Sequence, residues 1–113
     1  MGFVSYDNLE EILEEIDHQP IAFLYIVTTG CSVCHGLQPQ VEAIFEKFPE
    51  VHGMVVDSLE VPEVAREFQA LTAPVLLLFV EGKEYLRKAR MINTKDFEED
   101  VKKIVHGYIE SQA

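Results

Sequence analysis

The chain has two cysteines, Cys31 and Cys34, within Thr28-Thr29-Gly30-Cys31-Ser32-Val33-Cys34-His35-Gly36. Thiols at this spacing on one helical turn can reach each other, so the pair can cycle between dithiol and disulfide. Exchange requires a thiolate, and the flanking sequence predicts a place that supplies one. The apolar run Ile21-Ala22-Phe23-Leu24-Tyr25-Ile26-Val27 leads in, and Leu37, Val41, Ile44, Phe45 and Phe48 recur at helical spacing beyond it. A buried strand therefore hands over to a helix at the cysteines. The free N–H groups and positive dipole end of that helix stabilise an anion, which makes Cys31 the nucleophile and Cys34 the group that follows it. His35, if protonated, adds positive charge beside the thiolate; if not, it is simply solvated, and both readings stand. Tyr25 could hydrogen-bond a sulfur. Its ordinary pKa near ~10 makes it a poor base, however, and an aromatic in a central strand is ordinarily core, which leaves water as the proton acceptor for Cys34.

Other chemistries use the same letters. Cys31-Ser32-Val33-Cys34-His35 matches the haem c attachment pattern, but that attachment follows export, and a buried strand–helix junction is a poor setting for it. Zinc requires four ligands in a structural site. His18, His35, His52 and His106 are scattered and form no second paired motif, so no metal site is expected within one chain, although two subunits could share a cluster. A non-enzymatic binding module is a further alternative, and an unreactive Cys31 would mark it.

The elements that position the pair can be read in order. Phe3-Val4-Ser5 is either a brief strand or a lead-in. Asp7 reads as a helix N-cap, with Glu10 three residues later and Leu9, Ile12, Leu13 and Ile16 along one face. Pro20 ends that helix. The run from Ile21 to Val27 lacks polar alternation, as a strand covered on both faces does. The second helix is expected over residues 32–48, bent by Pro39 and closed by Pro49. Val51–Asp57 reads as a second buried strand, parallel to the first across the helix. A turn at 58–60 and Pro62 open a short helix with Val61, Val64, Ala65 and Phe68 inward. Thr72-Ala73-Pro74 precedes the apolar Val75-Leu76-Leu77-Leu78-Phe79-Val80, and Glu81-Gly82 turns the chain into an antiparallel edge strand over 83–91. Asn93 or Thr94 caps a last helix with Phe97, Val101, Ile104, Val105 and Tyr108 inward. The expectation is a single α/β domain over residues 1–113, with a mixed sheet of about four strands between helices.

Composition limits the partners. With 113 residues, 48% hydrophobic, the chain supports one core, and its formal net charge of −11 argues against nucleic acid and anionic membrane surfaces. The basic run Arg87-Lys88-Ala89-Arg90 reads as a solvated strand edge rather than an anion site. Residues 1–11 have no basic n-region or long apolar core, and no run approaches membrane-spanning length, so the expected compartment is the cytoplasm. There a Cys-x-x-Cys is more often catalytic or metal-binding than structural.

Taken together, these residues resemble the thioredoxin family over nearly the whole chain. The resemblance rests on Cys31 and Cys34 opening a helix after a buried strand, and on Pro39 five residues past the second cysteine. It rests also on Thr72-Ala73-Pro74 before an apolar strand and on the hairpin Phe79-Val80-Glu81-Gly82-Lys83. It implies a cis Ala73–Pro74 bond, a Pro74 loop facing the cysteines, and a substrate segment laid along Gly30, Thr72, Ala73 and Pro74, pairing with the Ala73 backbone. It implies thiol–disulfide exchange on protein or small-molecule disulfides without a bound cofactor, and a thioredoxin-reductase-type electron donor as a candidate partner. Three departures stand out. No tryptophan precedes Cys31; Tyr25 replaces the family's buried acid six residues before the first cysteine; and Gly53 falls where that acid's partner lysine would stand. Thr28, Thr29, Gly30 and Thr72-Ala73 together suggest a shallow polar groove, suited to small disulfides or a limited set of protein partners. Ser32-Val33 between the cysteines does not specify a potential, so reductant, oxidant and isomerase remain open, with the cytosolic setting favouring reductant.

Overall fold

A computed structural model describes residues 2–112. Strand β1 (Val4–Tyr6) is followed by α1 (Leu9–His18), β2 (Ile21–Val27), α2 (Ser32–Phe45) and β3 (Val51–Asp57). Then come α3 (Glu63–Glu67), β4 (Val75–Val80), β5 (Lys83–Ala89) and α4 (Thr94–Gln112). The strands form one five-stranded sheet in the order β1-β3-β2-β4-β5. β1 and β2 run parallel to β3, whereas β4 runs antiparallel to β2 and to β5. The thioredoxin-like α/β architecture is therefore present, with five strands rather than about four. The added strand is β1, which includes Val4 and Ser5 and is too short to show a period of its own. Its pairing with Met54, Val55 and Val56 decides what the sequence left open.

β2 is central, and its six residues from Ile21 to Ile26 are all buried. β4 is buried throughout. β3 departs from the expectation of a fully buried strand: only Met54 and Val56 are buried, because its outer edge carries nothing beyond short β1. Alternation along β2 divides the core. Ala22, Leu24 and Ile26 face Ile12 and Ile16 of α1, together with Val61, Val64 and Phe68 around α3. Ile21, Phe23 and Tyr25 face Leu37, Val41, Ile44 and Phe45 of α2 and Phe97, Val101 and Val105 of α4.

Two helix boundaries differ from expectation, and a third is settled between its two candidates. Asn8, not Asp7, caps α1: its Oδ1 accepts from the Glu11 amide at 3.2 Å, one residue later in register. α2 ends at Phe45 because the chain tightens there into i→i−3 bonds, from Lys47 N–H to Ile44 and from Phe48 N–H to Phe45. Asn93 caps α4, with Oδ1 accepting from the Asp96 amide at 3.1 Å, while Ile104 and Tyr108 are only half-buried.

Candidate functional site

The cysteines lie where β2 gives way to α2. Gly30 turns the chain at φ +85°, with open space around it, and delivers Cys31 as the N-cap of α2. Cys31 and Cys34 form a disulfide with their Cα atoms 5.3 Å apart. Cys31 Sγ also accepts from the Cys34 backbone N–H at 3.1 Å, so the sulfur occupies the place of a capping oxygen. No acidic residue stands in the first turn of α2 to offset the positive end of its dipole. The two sulfurs differ in access: Cys34 is 1% exposed, whereas Cys31 is half-buried and lines an open cleft.

That cleft, of about 630 Å³, is bounded by Gly30, Cys31 and Val33 on one side and by Ala73, Pro74 and Met91 on the other. The Ala73–Pro74 bond is cis. Neither the amide nor the carbonyl of Ala73 has a hydrogen-bond partner within the described chain. Thr72 is exposed and does not line the cleft. The expected shallow polar groove is thus corrected. Its walls are mainly apolar, because the first turn of α2 presents Val33 and the chain leaving β5 brings Met91 and Ile92 past the cysteines.

Tyr25 lies beneath the pair. Its hydroxyl donates not to a sulfur but to the Cys34 carbonyl at 2.7 Å. Burial, with the Glu42 carboxylate adding to it, pushes its pKa up to about 12, so Tyr25 is a fixed donor. The space where a lysine would extend from position 53 is taken by Phe3: a Cβ on Gly53 would stand 2.5 Å from the Phe3 ring. His35 is exposed, and its ring makes no hydrogen bond or ion pair among the described residues.

Two features were not read from the sequence, the link from Thr29 to Asp57 and the place of Arg90. Thr29 Oγ1 donates to Asp57 Oδ2 at 2.6 Å, tying the loop before Cys31 to the end of β3. Burial raises the Asp57 pKa, but the Thr29 hydroxyl and the Leu59, Glu60 and Thr29 backbone amides outweigh it and hold the carboxyl below its ordinary value. Each residue is unremarkable alone, and the signal is their adjacency across two strand ends. Arg90 is the other. Read as part of a solvated strand edge, it lies beyond the end of β5 and lines the cleft.

An accessible cysteine capping a helix, bonded to a buried partner one turn on and facing a cis-proline loop, defines a thiol–disulfide oxidoreductase. The comparisons agree, and the chain belongs to the thioredoxin family: the model described as Thioredoxin matches residues 3–106. The thioredoxin-like protein YdfQ of Bacillus subtilis is 36% identical over 107 residues, covering 95% of this chain and 93% of that protein. Among solved structures, the oxidised thioredoxin of Plasmodium falciparum superposes with a TM-score of 0.83 at 15% identity, covering 92% of this chain and 99% of that one. Thioredoxin from Trypanosoma brucei brucei superposes at 0.82 and 18% identity, covering 93% and 92%. At such identities these superpositions speak for the fold. The activity follows from the family and its Cys31-Ser32-Val33-Cys34 pair, which takes disulfide substrates. Among the described residues no helix is long and apolar enough to cross a membrane, and no cluster of three or more histidine, cysteine or acidic side chains is placed to hold a metal.

Proposed function

We propose that the protein reduces disulfides in a reducing compartment such as the cytoplasm, with Cys31 attacking and Cys34 resolving. The observation that carries this assignment of roles is the difference in access: Cys31 lines the cleft, and Cys34 is sealed beneath it. In the reduced protein, Cys31 thiolate attacks one sulfur of the substrate. A Cys31–substrate disulfide forms, the substrate S–S bond breaks, and the first thiolate leaves. Cys34, having lost its proton, then attacks Cys31 Sγ, forming the intramolecular disulfide and releasing the second thiolate. Two electrons have passed to the substrate, and a dithiol donor of the thioredoxin-reductase type restores the pair. Gly30, Ala73 and Pro74 form the substrate ledge in this reading, and Thr72 stands exposed beside it, outside the cleft. The unpartnered Ala73 amide and carbonyl support the addition of an extended segment there.

The proton of Cys34 has no side-chain acceptor in this reading. Tyr25, its pKa pushed up to about 12, cannot serve as a base near neutrality. Water takes the proton, and the second step is slow relative to a relative carrying the buried acid. His35 contributes only long-range positive charge when protonated.

The test is a redox titration of Cys31–Cys34 in defined thiol–disulfide buffers, counting free thiols by alkylation and mass. A potential near about −270 mV supports the reductant, whereas about −180 to −120 mV makes it an oxidant or isomerase. Cys34→Ser should trap a substrate on Cys31 as a stable mixed disulfide. Trapping through Cys34 in Cys31→Ser instead would reverse the assigned roles.

A further inference from the structure

The basic run after the β4–β5 hairpin divides into side chains that are occupied and one that is not. Arg87 donates to the Phe68 carbonyl at 2.7 Å and pairs with Glu84 at 2.9 Å. Lys88 pairs with Asp100 at 3.3 Å across to α4. The Arg90 guanidinium has no partner among the described residues and is exposed at the wall of the cleft that holds Cys31. Its backbone takes φ +68°, the left-handed region that a side chain bearing Cβ occupies only at a cost. The Arg90 N–H donates to the Pro74 carbonyl at 3.3 Å, which fixes the residue against the cis-proline.

The charge around it is one-sided. The chain carries 20 aspartates and glutamates, yet among the described residues none lines this cleft, and Arg90 is the single charged one that does. A cation alone among the apolar walls of Val33, Pro74, Met91 and Ile92, on a molecule of net charge −11, favours an anionic group on whatever enters. The open Ala73 backbone favours that entrant being polypeptide.

We infer that Arg90 is a specificity-determining residue that selects polypeptide disulfides with a carboxylate side chain flanking the cysteine under attack. The inference rests on the exchange reading above and adds the substrate class. The guanidinium meets the Asp or Glu of the bound segment as an accessible ion pair while Cys31 engages the sulfur.

The test uses the full chain, pre-reduced and freed of reductant, in single-turnover exchange with three disulfide peptides that differ only in having Glu, Gln or Lys beside the cysteine. The wild type is expected to react about threefold to fivefold faster with the Glu than with the Gln peptide, the scale of an accessible ion pair, and slowest with Lys. Raising the salt should compress that ratio. Arg90→Gly, whose backbone suits the left-handed turn, should fold at least as stably and lose the Glu-over-Gln ratio. Arg90→Lys should restore part of the ratio. Equal ratios in wild type and R90G overturn the selection. So does a uniform fall across all three peptides in R90G, which would assign Arg90 to the Cys31 thiolate. Failure of every peptide to react with the wild type would overturn the exchange reading itself, and the selection with it.

Discussion

The two faces of the sheet are built differently, and the difference explains why the site sits where it does. The face under α1 and α3 is mainly aliphatic, with Ile12, Ile16, Leu24, Ile26, Met54, Val56 and Leu77, and Phe68 and Phe79 at its margin. The face under α2 and α4 is aromatic. Phe23 stacks on Phe45 with ring centroids 4.3 Å apart, and Phe3 and Phe97 pack against Phe23 at 5.3 and 5.9 Å. Tyr25 stands two residues along the same strand and donates to Cys34. The aromatic face therefore reaches the redox pair through the Tyr25 hydroxyl. In place of the buried acid and lysine that the family resemblance implies, the chain has a tyrosine, a glycine and the Phe3 ring.

The comparison predicts that damage on one face reaches the cysteines and damage on the other does not. Phe23→Ala should cost about 3–5 kcal/mol and Ile12→Ala about 2–5 kcal/mol, measured by denaturant unfolding of the oxidised protein. Only Phe23→Ala should also move the Cys31–Cys34 potential. Equal displacement of the potential by both would break the distinction. Next in size is Gly53→Ala. Its Cβ would lie 2.5 Å from the Phe3 ring and force that ring off Phe23, at a cost of about 1–3 kcal/mol. In a Phe3→Ala background the same change should cost much less, and an unchanged cost would show that Phe3 is not what excludes a side chain at position 53.

How much of this was readable in the sequence depends on the range of the signal. The strand–helix junction at Cys31, the buried run of β2 and the hairpin were legible because each is written in consecutive residues with a period or a turn. The cis bond at Ala73 came from family resemblance, since Pro74 alone only permits it. β1 was undecided because a three-residue strand depends on its pairing with β3. The apolar character of the cleft was missed because Met91 and Ile92 are remote in sequence from Cys31 and reach it only through the return of the chain after β5. Arg90 was hidden for the same reason: its neighbours Arg87 and Lys88 do behave as a strand edge. The one-residue error at the first N-cap arose because Asp7 and Asn8 are both capable caps, and the burial of Ile12 and Ile16 sets the register.

Smaller effects sharpen the comparison at the point where face and site meet. Tyr25→Phe removes the donor to the Cys34 carbonyl with little change of volume and should cost about 1 kcal/mol. Its pH signature is specific. The Tyr25 pKa is raised to about 12, chiefly by burial and next by Glu42, against an unfolded value near ~10. The stability linked to it is complete below the unfolded value and is lost as pH climbs from there toward 12. That alkaline loss should be absent in Y25F when unfolding free energy is followed against pH, and a loss of the same size would detach Tyr25 from it.

The smallest effect lies at the acid end and tests whether the loop before Cys31 is held from outside either core. Asp57 titrates below its ordinary value because the hydrogen bonds from Thr29 and the nearby amides outweigh burial. The folded state thus binds its proton less tightly than the unfolded state does. Its contribution is present above the unfolded pKa of about 3.9 and disappears as pH falls through the lower folded value. Thr29→Val removes the 2.6 Å bond and should flatten the stability profile over about pH 5 to 2 while leaving the neutral-pH packing of both faces intact. If the loop takes its position from Asp57, hydrogen exchange at the backbone amides of Thr29 to Cys31 should quicken in T29V while the β2 amides stay protected. Unchanged exchange there would mean that α2 and the aromatic face hold Cys31 unaided.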